Sequence, residues 1–436
     1  MANGCFVTTL PLPLALGIDF GTSGVRAAVV DPQRHLCWHY RQGYPDLPAP
    51  DCWRQGLFDL LEALPGAIAP QIGRVAIDGT SATVLLCDQA GESLTPPLLY
   101  NHSCREVLET IKALAPAQSP AASATSSLAK LLWWHQTLPP AVWNQAAYLL
   151  HQADWLSAQL HGQWGLSDYH NSLKLGYNVG DLSYPAWMQG QPWSRLLPRV
   201  LAPGEIVGCV TETVAQRFGL SPQCQVVAGT TDSIAAFLAS GAIAPGDGVT
   251  SLGSTLAIKL LSNQRVDVGD YGIYSHRLGN QWLVGGASNS GGVVLEKFFD
   301  RKALASLSQR IDPAVPTELD YYPLVQPGER FPINDPTLAP RLSPRPDDDS
   351  AFLHGLLMGI ARIEQRGYKL LTQHGASPLR QIFTAGGGAA NETWRQLRAA
   401  LLPVPIKNAA SAEAAVGSAY LALGRLKDAT EIFKGG

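Results

Sequence analysis

At 436 residues, with 46% hydrophobic and 15% charged side chains, the chain has a globular composition and is too long for one ordinary hydrophobic core, so two domains are expected. A net charge of −3 gives no electrostatic footprint for nucleic acid, and no run of 18 apolar residues free of charges and turn signals is present to span a membrane. The seven cysteines are odd in number and form no CxxC pair; this suggests neither a metal knuckle nor a disulfide framework and fits a reducing cytoplasm.

Residues 1–12 read as a loose leader. Residues 16–31 then give two apolar segments around Asp19-Phe20-Gly21-Thr22-Ser23-Gly24, the pattern of a β-hairpin whose tip carries a carboxylate, two hydroxyls and two glycines. Gly21 and Gly24 allow close backbone approach, successive N–H groups there can face phosphate oxygens, and Asp19 can orient a hydrated Mg²⁺. A third strand is expected over 36–41, which makes a β-meander rather than a Rossmann start, and a helix over 53–64.

Apolar segments at 75–77 and 84–87 flank the polar hinge Asp78-Gly79-Thr80-Ser81-Ala82-Thr83, placed where a strand would end at a cleft. Residues 115–127 form an Ala/Ser/Pro-rich loop before a helix over 128–136, another helix covers 154–160, and 166–177 reads as a polar, aromatic loop or irregular strand. Residues 226–241 give a strand, a turn and a helix, with Ile234, Phe237 and Leu238 on one face and Asp232 expected at the N-cap. A carboxylate at such a turn stabilises the helix and is equally able to take a proton from a bound alcohol.

Residues 249–261 repeat the opening hairpin, with Leu252-Gly253-Ser254-Thr255 in the place of Phe20-Gly21-Thr22-Ser23, so an internal duplication is expected with a boundary near 240–248. The proline-rich stretch 326–350 should be an extended surface loop, followed by a helix over 352–371. A strand at 381–385, the turn Gly386-Gly387-Gly388 and a helix capped by Asn391 make an anion site by geometry, with Trp394 spaced to pack beside Leu397. An Ala-rich helix with Gly417 closes the pattern over 411–423.

Several of these stretches together resemble the FGGY carbohydrate kinases. They are Asp19-Phe-Gly-Thr-Ser-Gly-Val-Arg26, Lys130-Leu-Leu-Trp133, Val227-Ala-Gly-Thr-Thr-Asp232, Leu252-Gly-Ser-Thr255, Gly328-Glu-Arg-Phe-Pro332, Ala385-Gly-Gly-Gly388 and Glu413-Ala-Ala-Val-Gly-Ser418, in the family's order. The resemblance implies an α/β fold of two ribonuclease H-like domains around a central cleft, in the superfamily of hexokinase, actin and the 70-kDa heat-shock ATPases. It implies a sugar-binding domain over 1–240, a nucleotide-binding domain over 241–412, and a final helix, 413–432, packed back on the first.

By the same resemblance Asp232 is the general base, Asp19 organises Mg²⁺ through water with Asp232 nearby, and Gly21, Thr22 and Ser23 form the loop near the β- and γ-phosphates, Thr22 taking part in catalysis. Gly253, Ser254 and Thr255 form the second phosphate hairpin, and Gly387, Gly388, Asn391 and Trp394 lie beside ribose and adenine. Asp19, Asp78, Ser81, Thr83, His102, Arg105 and Asp232 are the expected sugar contacts. The implied partners are ATP, Mg²⁺ and a small ketose, with neither nucleic acid nor membrane. No GxxxxGK[ST] occurs, so a P-loop enzyme is excluded.

The hinge Asp78-Gly-Thr-Ser-Ala-Thr83 is closer to the Asp-Ala-Thr-Cys-Ser form of ribulokinase-like members than to the Gln-Met-His-Gly form of xylulokinase-like ones. This favours D-ribulose as the acceptor, with D-xylulose second. The Trp-x-Asp-x-Arg segment of the family appears here as Tyr100-Asn-His-Ser-Cys-Arg105, with His102 at the Asp position and Arg105 displaced by one residue. That departure motivates a rival of another class, a sugar or nucleotide sensor with little catalysis.

Overall fold

The computed structural model describes residues 13–44 and 49–424; the leader 1–12 and the end of the final helix expected over 413–432 lie outside the described residues. Strands β1 (Leu14–Phe20) and β2 (Gly24–Val30) form the expected hairpin, and β3 (Leu36–Gly43) completes the meander. β1 is apolar almost throughout because both of its faces are covered. One side packs on helix Pro50–Glu62, whose Gly56 lies against Phe20 and Val25, and the other on helix Ala414–Leu423. The second contact is so close that a Cβ on Gly17 would sit 2.0 Å from the carbonyl oxygen of Ala415.

β4 (Ile72–Gly79) runs parallel to β1, with Asp19 beside Asp78 in register. Beyond it come β5 (Val84–Cys87) with β6 (Tyr148–His151), and β7 (Leu166–Asp168) with β8 (Arg199–Leu201), as two-stranded additions. β9 (Ile206–Cys209), β10 (Gln225–Val227) and the short β11 (Thr230–Thr231) complete a sheet of order β3-β2-β1-β4-β10-β9, with β11 also on β4. Helix Asp232–Ala239 leaves directly from β11, with Thr231 as the capping residue. Asp232, expected at the N-cap, is instead the first helical residue, because the chain is still paired with β4 at Thr231.

The second half repeats the scheme. β12 (Asp247–Leu252) and β13 (Leu256–Ser262) form the second hairpin, β14 (Tyr274–Leu278) and β15 (Gln281–Ala287) extend it antiparallel, and β16 (Gln381–Ala385) and β17 (Ile406–Asn408) add in parallel. In both sheets, therefore, a hairpin-led antiparallel group abuts parallel strands reached by helical crossovers, the two-domain actin- and hexokinase-like arrangement. Separate cores form around Trp53, Trp155 and Val75 in the first half and around Phe352, Leu356 and Trp394 in the second. A third apolar layer joins the halves through Val227, Ile234, Phe237, Val249, Leu261 and Ala419.

Two other expectations need correction. The stretch 326–350 is irregular but not merely superficial: Phe331 is buried in the second core, and Glu329 is buried where it accepts from the Ser288 and Tyr322 hydroxyls at 2.6 and 2.9 Å. Residues 166–177 resolve into β7 and a single-turn helix Ser172–Leu175. Among the described residues, no helix is long and apolar enough to cross a membrane.

Candidate active site

The parallel strands β1, β4 and β11 end at one level, and their carboxyl ends carry Asp19, Asp78 and, one residue past β11, Asp232. Side chains converge there because parallel strands place equivalent residues side by side and leave a crevice beyond their carboxyl ends. A cavity of about 460 Å³ opens at this level, lined by Asp19, Gly21, Thr22, Ser23, Asp232 and Glu413 among others.

Asp19 is buried, and its Oδ2 accepts from Arg26 Nη1 at 2.8 Å across the hairpin, where the two residues are directly opposed. Its Oδ1 has no partner among the described residues; neither has Oδ1 of the fully buried Asp78 beside it. Burial, and the charge of Asp19 after it, hold the Asp78 carboxyl well above the usual carboxylate range. Its other oxygen accepts from Ser418 Oγ at 2.5 Å, which ties helix Ala414–Leu423 to the centre of the sheet.

Asp232 is half-buried and lines the same cavity. Desolvation first, and the negative charge of Asp19 second, raise its carboxyl to about 6, against the opposing pull of Lys259 and Lys174. Its Oδ1 accepts the Ser233 N–H at 2.6 Å, and Lys259 Nζ on β13 donates to the Ser233 carbonyl. A carboxylate poised near neutrality at a cavity wall is suited to proton abstraction.

The second hairpin faces another cavity, of about 740 Å³, whose lining includes Gly253, Ser254, Gly387, Gly388, Asn391 and Trp394. Gly386 has φ 84°, and a Cβ there would lie 2.8 Å from the Leu252 carbonyl; a Cβ on Gly388 would meet the Trp394 ring at 2.6 Å. The glycines let the two turns nest against each other and onto that indole. Trp394 is buried, with Nε1 donating to the Leu357 carbonyl at 3.1 Å, so its ring is cavity floor and core at once. Asn391 caps its helix through Oδ1 to Trp394 N–H at 3.0 Å while Nδ2 donates to Ser308 Oγ at 2.8 Å. Thr255 is exposed on the hairpin but does not line this cavity.

The expected sugar contacts divide. Ser81 is half-buried at the hinge, next to Ala82, which takes φ 66° and whose carbonyl accepts from the buried Lys130 Nζ at 2.6 Å. Thr83 is fully buried and its hydroxyl is committed, to Thr80 Oγ1 at 2.6 Å and from Tyr100 N–H at 2.9 Å. Buried and with its proton committed, it shapes the hinge from beneath instead of facing a ligand. Asp78 is likewise beneath the surface rather than on it. His102 and Arg105 are exposed, His102 with its ring 5.8 Å from that of Trp133, and neither lines the cavity of Asp19 and Asp232.

Four site residues escaped the sequence reading. Arg26, opposite Asp19 in the hairpin register, and Ser418 each end one of the family-like stretches but carried no assigned role there; Lys259 and Lys174 come from distant segments and carry no local signal. Gly291, with φ 148°, and Gly292 underlie the second hairpin, Gly292 N–H donating to Gly253 O at 2.8 Å. Their adjacency in Asn289-Ser290-Gly291-Gly292 is a local turn signal.

Comparison with known proteins follows the same lines. Residues 14–239 match the model for the N-terminal domain of the FGGY family of carbohydrate kinases, and residues 249–424 that for its C-terminal domain. A xylulose kinase of Streptomyces rubiginosus is 26% identical over 448 aligned residues, covering 95% of this chain and 88% of that protein. A ribulokinase of Shouchella clausii is 25% identical over 307 residues, 58% of this chain and 54% of the relative. The crystal structure of a xylulose kinase from Brucella ovis shares the fold with a TM-score of 0.82 at 22% identity, over 96% of this chain and 92% of that one. With both family domains matched in order, the chain belongs to the FGGY family of carbohydrate kinases, phosphotransferases that act on an alcohol group of a sugar.

Proposed function

We propose that the protein transfers the γ-phosphoryl group of ATP to the terminal hydroxyl of a ketopentose, with D-ribulose the acceptor and D-ribulose 5-phosphate the product. The observation that carries the kinase reading is the meeting of Asp232 with Asp19 and the Gly21–Ser23 turn in one cavity. On this reading the first domain, residues 1–240, holds the sugar and the second, 241–412, the nucleotide. Asp232 accepts the hydroxyl proton, the alkoxide oxygen bonds to the γ-phosphorus, and the bond from that phosphorus to the β–γ bridging oxygen breaks, so that ADP leaves.

Gly21, Thr22 and Ser23 on one wall, with Thr22 donating to the transferred group, and Gly253, Ser254 and Thr255 on the other, bear on the phosphates. Gly387, Gly388, Asn391 and the Trp394 floor take the ribose and adenine. The buried, partnerless Oδ1 of Asp19 and the carboxylate of Asp232 fit a hydrated Mg²⁺, which screens phosphate charge when bound. Arg26 orients Asp19 for that duty. Among the described residues no cluster of three or more His, Cys, Asp or Glu side chains forms a protein cage for a metal, which suits an ion brought in with the nucleotide.

The ribulose assignment rests on the hinge Asp78–Thr83; Ser81 is its half-buried member, and Asp78 and Thr83 hold its shape from below. His102 and Arg105 are assigned to the rim of the sugar side. D-Xylulose is the second reading, favoured by the names of the relatives above. Turnover measured as ADP release over a panel of pentuloses, hexuloses and polyols decides the point: ribulose gives the highest kcat/KM, and turnover confined to glycerol or a hexulose refutes the assignment.

A further inference from the structure

Thr230 and Thr231 present Asp232, and what grips them comes from far away in the sequence. His170 is buried, with Nδ1 2.7 Å from the Thr230 hydroxyl and Nε2 2.6 Å from the backbone carbonyl of Arg277 on β14. A carbonyl only accepts, so Nε2 carries the proton and Nδ1 accepts from the Thr230 hydroxyl, which settles the tautomer. Burial also pushes the imidazole down to about 4, so it is neutral in this role.

The next residue reinforces the grip. Asn171 Nδ2 donates to the Thr230 carbonyl at 3.2 Å and to Asp168 Oδ2 at 2.6 Å, while Asp168 Oδ1 accepts the N–H groups of His170 and Asn171 at 2.8 and 3.0 Å. Thr230 is thus held through its hydroxyl and its carbonyl by consecutive residues, themselves fixed by one carboxyl group. On the far side of Asp232, Lys259 of β13 holds the Ser233 carbonyl. Both β13 and β14 belong to the second sheet, so the segment that carries Asp232 is suspended between the two halves of the molecule.

We propose that His170 is a positioning residue for phosphoryl transfer: its imidazole, bonded to the Thr230 hydroxyl and to the Arg277 carbonyl of the second sheet, aims Asp232 at the acceptor hydroxyl and does so only while the two sheets are seated together. The inference rests on the reading of Asp232 as the base. An ordinary core histidine would contribute to packing alone. Here both ring nitrogens are used, one on each half of the protein, within two residues of the proposed base.

The test uses the full chain with ribulose and ATP, in the variants His170→Gln, Thr230→Val, Thr230→Ser and the double variant His170→Gln/Thr230→Val. Misplacing a base by a fraction of an ångström is expected to lower kcat by about 30-fold in His170→Gln and Thr230→Val, with KM for sugar and Kd for ADP within about twofold. Thr230→Ser keeps the donor and retains kcat within about threefold, and the double variant is no slower than the slower single one. Wild-type kcat in His170→Gln, additive losses, a fall of ADP affinity in step with kcat, or a Thr230→Ser variant as slow as Thr230→Val each overturn the proposal. If His170→Gln does not fold, the Thr230 pair alone decides between hydrogen bond and packing. Asp232→Asn is measured alongside: its retention of turnover refutes the base reading itself, whereas its inactivity beside unimpaired His170 and Thr230 variants refutes only the positioning role.

Discussion

If Asp232 is the base proposed above, it accepts a proton only when ionised, so the acid limb of the rate profile is set by its surroundings. With its carboxyl raised to about 6 by burial and by Asp19, the group is about nine-tenths ionised at pH 7 and about one-tenth at pH 5. The sign is that of a base: kcat/KM for sugar is at its plateau above pH 7 and falls about tenfold for each pH unit well below 6. The assay is direct quantification of sugar phosphate by phosphorus NMR at saturating ATP and Mg²⁺, because enzyme-coupled detection fails at low pH. ATP titrates in the same region, so Lys259→Met serves as the internal control. It removes a charge that lowers Asp232 and must move the acid limb upward, while leaving the titration of the nucleotide unchanged. Asp232→Asn is expected to lose about 10³-fold in kcat, the usual worth of a positioned general base. A kcat/KM that stays flat from pH 7.5 to 5 with circular dichroism unchanged, or an Asn variant keeping a tenth of the activity, refutes the reasoning.

Other substitutions test the supports of the two cavities. Arg398 is buried, donating to both oxygens of Glu364 at 2.6 and 2.7 Å and to Thr384 Oγ1 at 2.8 Å. Arg398→Met strands the Glu364 carboxylate and should lower stability by about 3–5 kcal/mol in chemical denaturation; a loss under 1 kcal/mol contradicts this. Gly417→Ala would set a Cβ 1.7 Å from the Ala235 carbonyl oxygen, on the helix that begins with Asp232. Since neither backbone can yield cheaply, we expect a loss of about 3 kcal/mol together with reduced kcat, read by thermal denaturation and initial rates. Trp394→Ala removes the floor beneath Gly388 and should raise KM for ATP about tenfold while leaving KM for sugar unchanged, equal shifts in both being the adverse result. Arg26→Met frees Asp19 from its partner, and the Mg²⁺ concentration for half-maximal rate should rise, as a magnesium titration would show.

Much of the scaffold was legible because it is written in local chemistry. The hairpin tips at Gly21–Ser23 and Gly253–Thr255, the strand-to-helix turn at Asp232 and the glycine turn before Asn391 each combine a short apolar run with turn residues, and each lies where that pattern placed it. The repeat of one hairpin by the other also appeared in the sequence, and the matching sheet orders show its structural meaning. Boundaries moved where pairing intervened, as at Thr231, because a strand's end depends on its neighbour rather than on its own residues.

The amino-acid sequence by itself determined which residue types stand at the strand ends, and through their order it pointed to a family. Only the tertiary structure decided what those residues experience. It placed Asp19 against Asp78 by parallel register, turned Thr83 inward, and brought Ser418, Lys259 and His170 to the centre from segments tens to hundreds of residues distant in the chain. Local propensities act over a few residues and can specify a turn. A carboxyl's proton affinity depends on desolvation and on charges within a few ångströms, whichever part of the chain supplies them, and that is fixed when the two sheets close on each other.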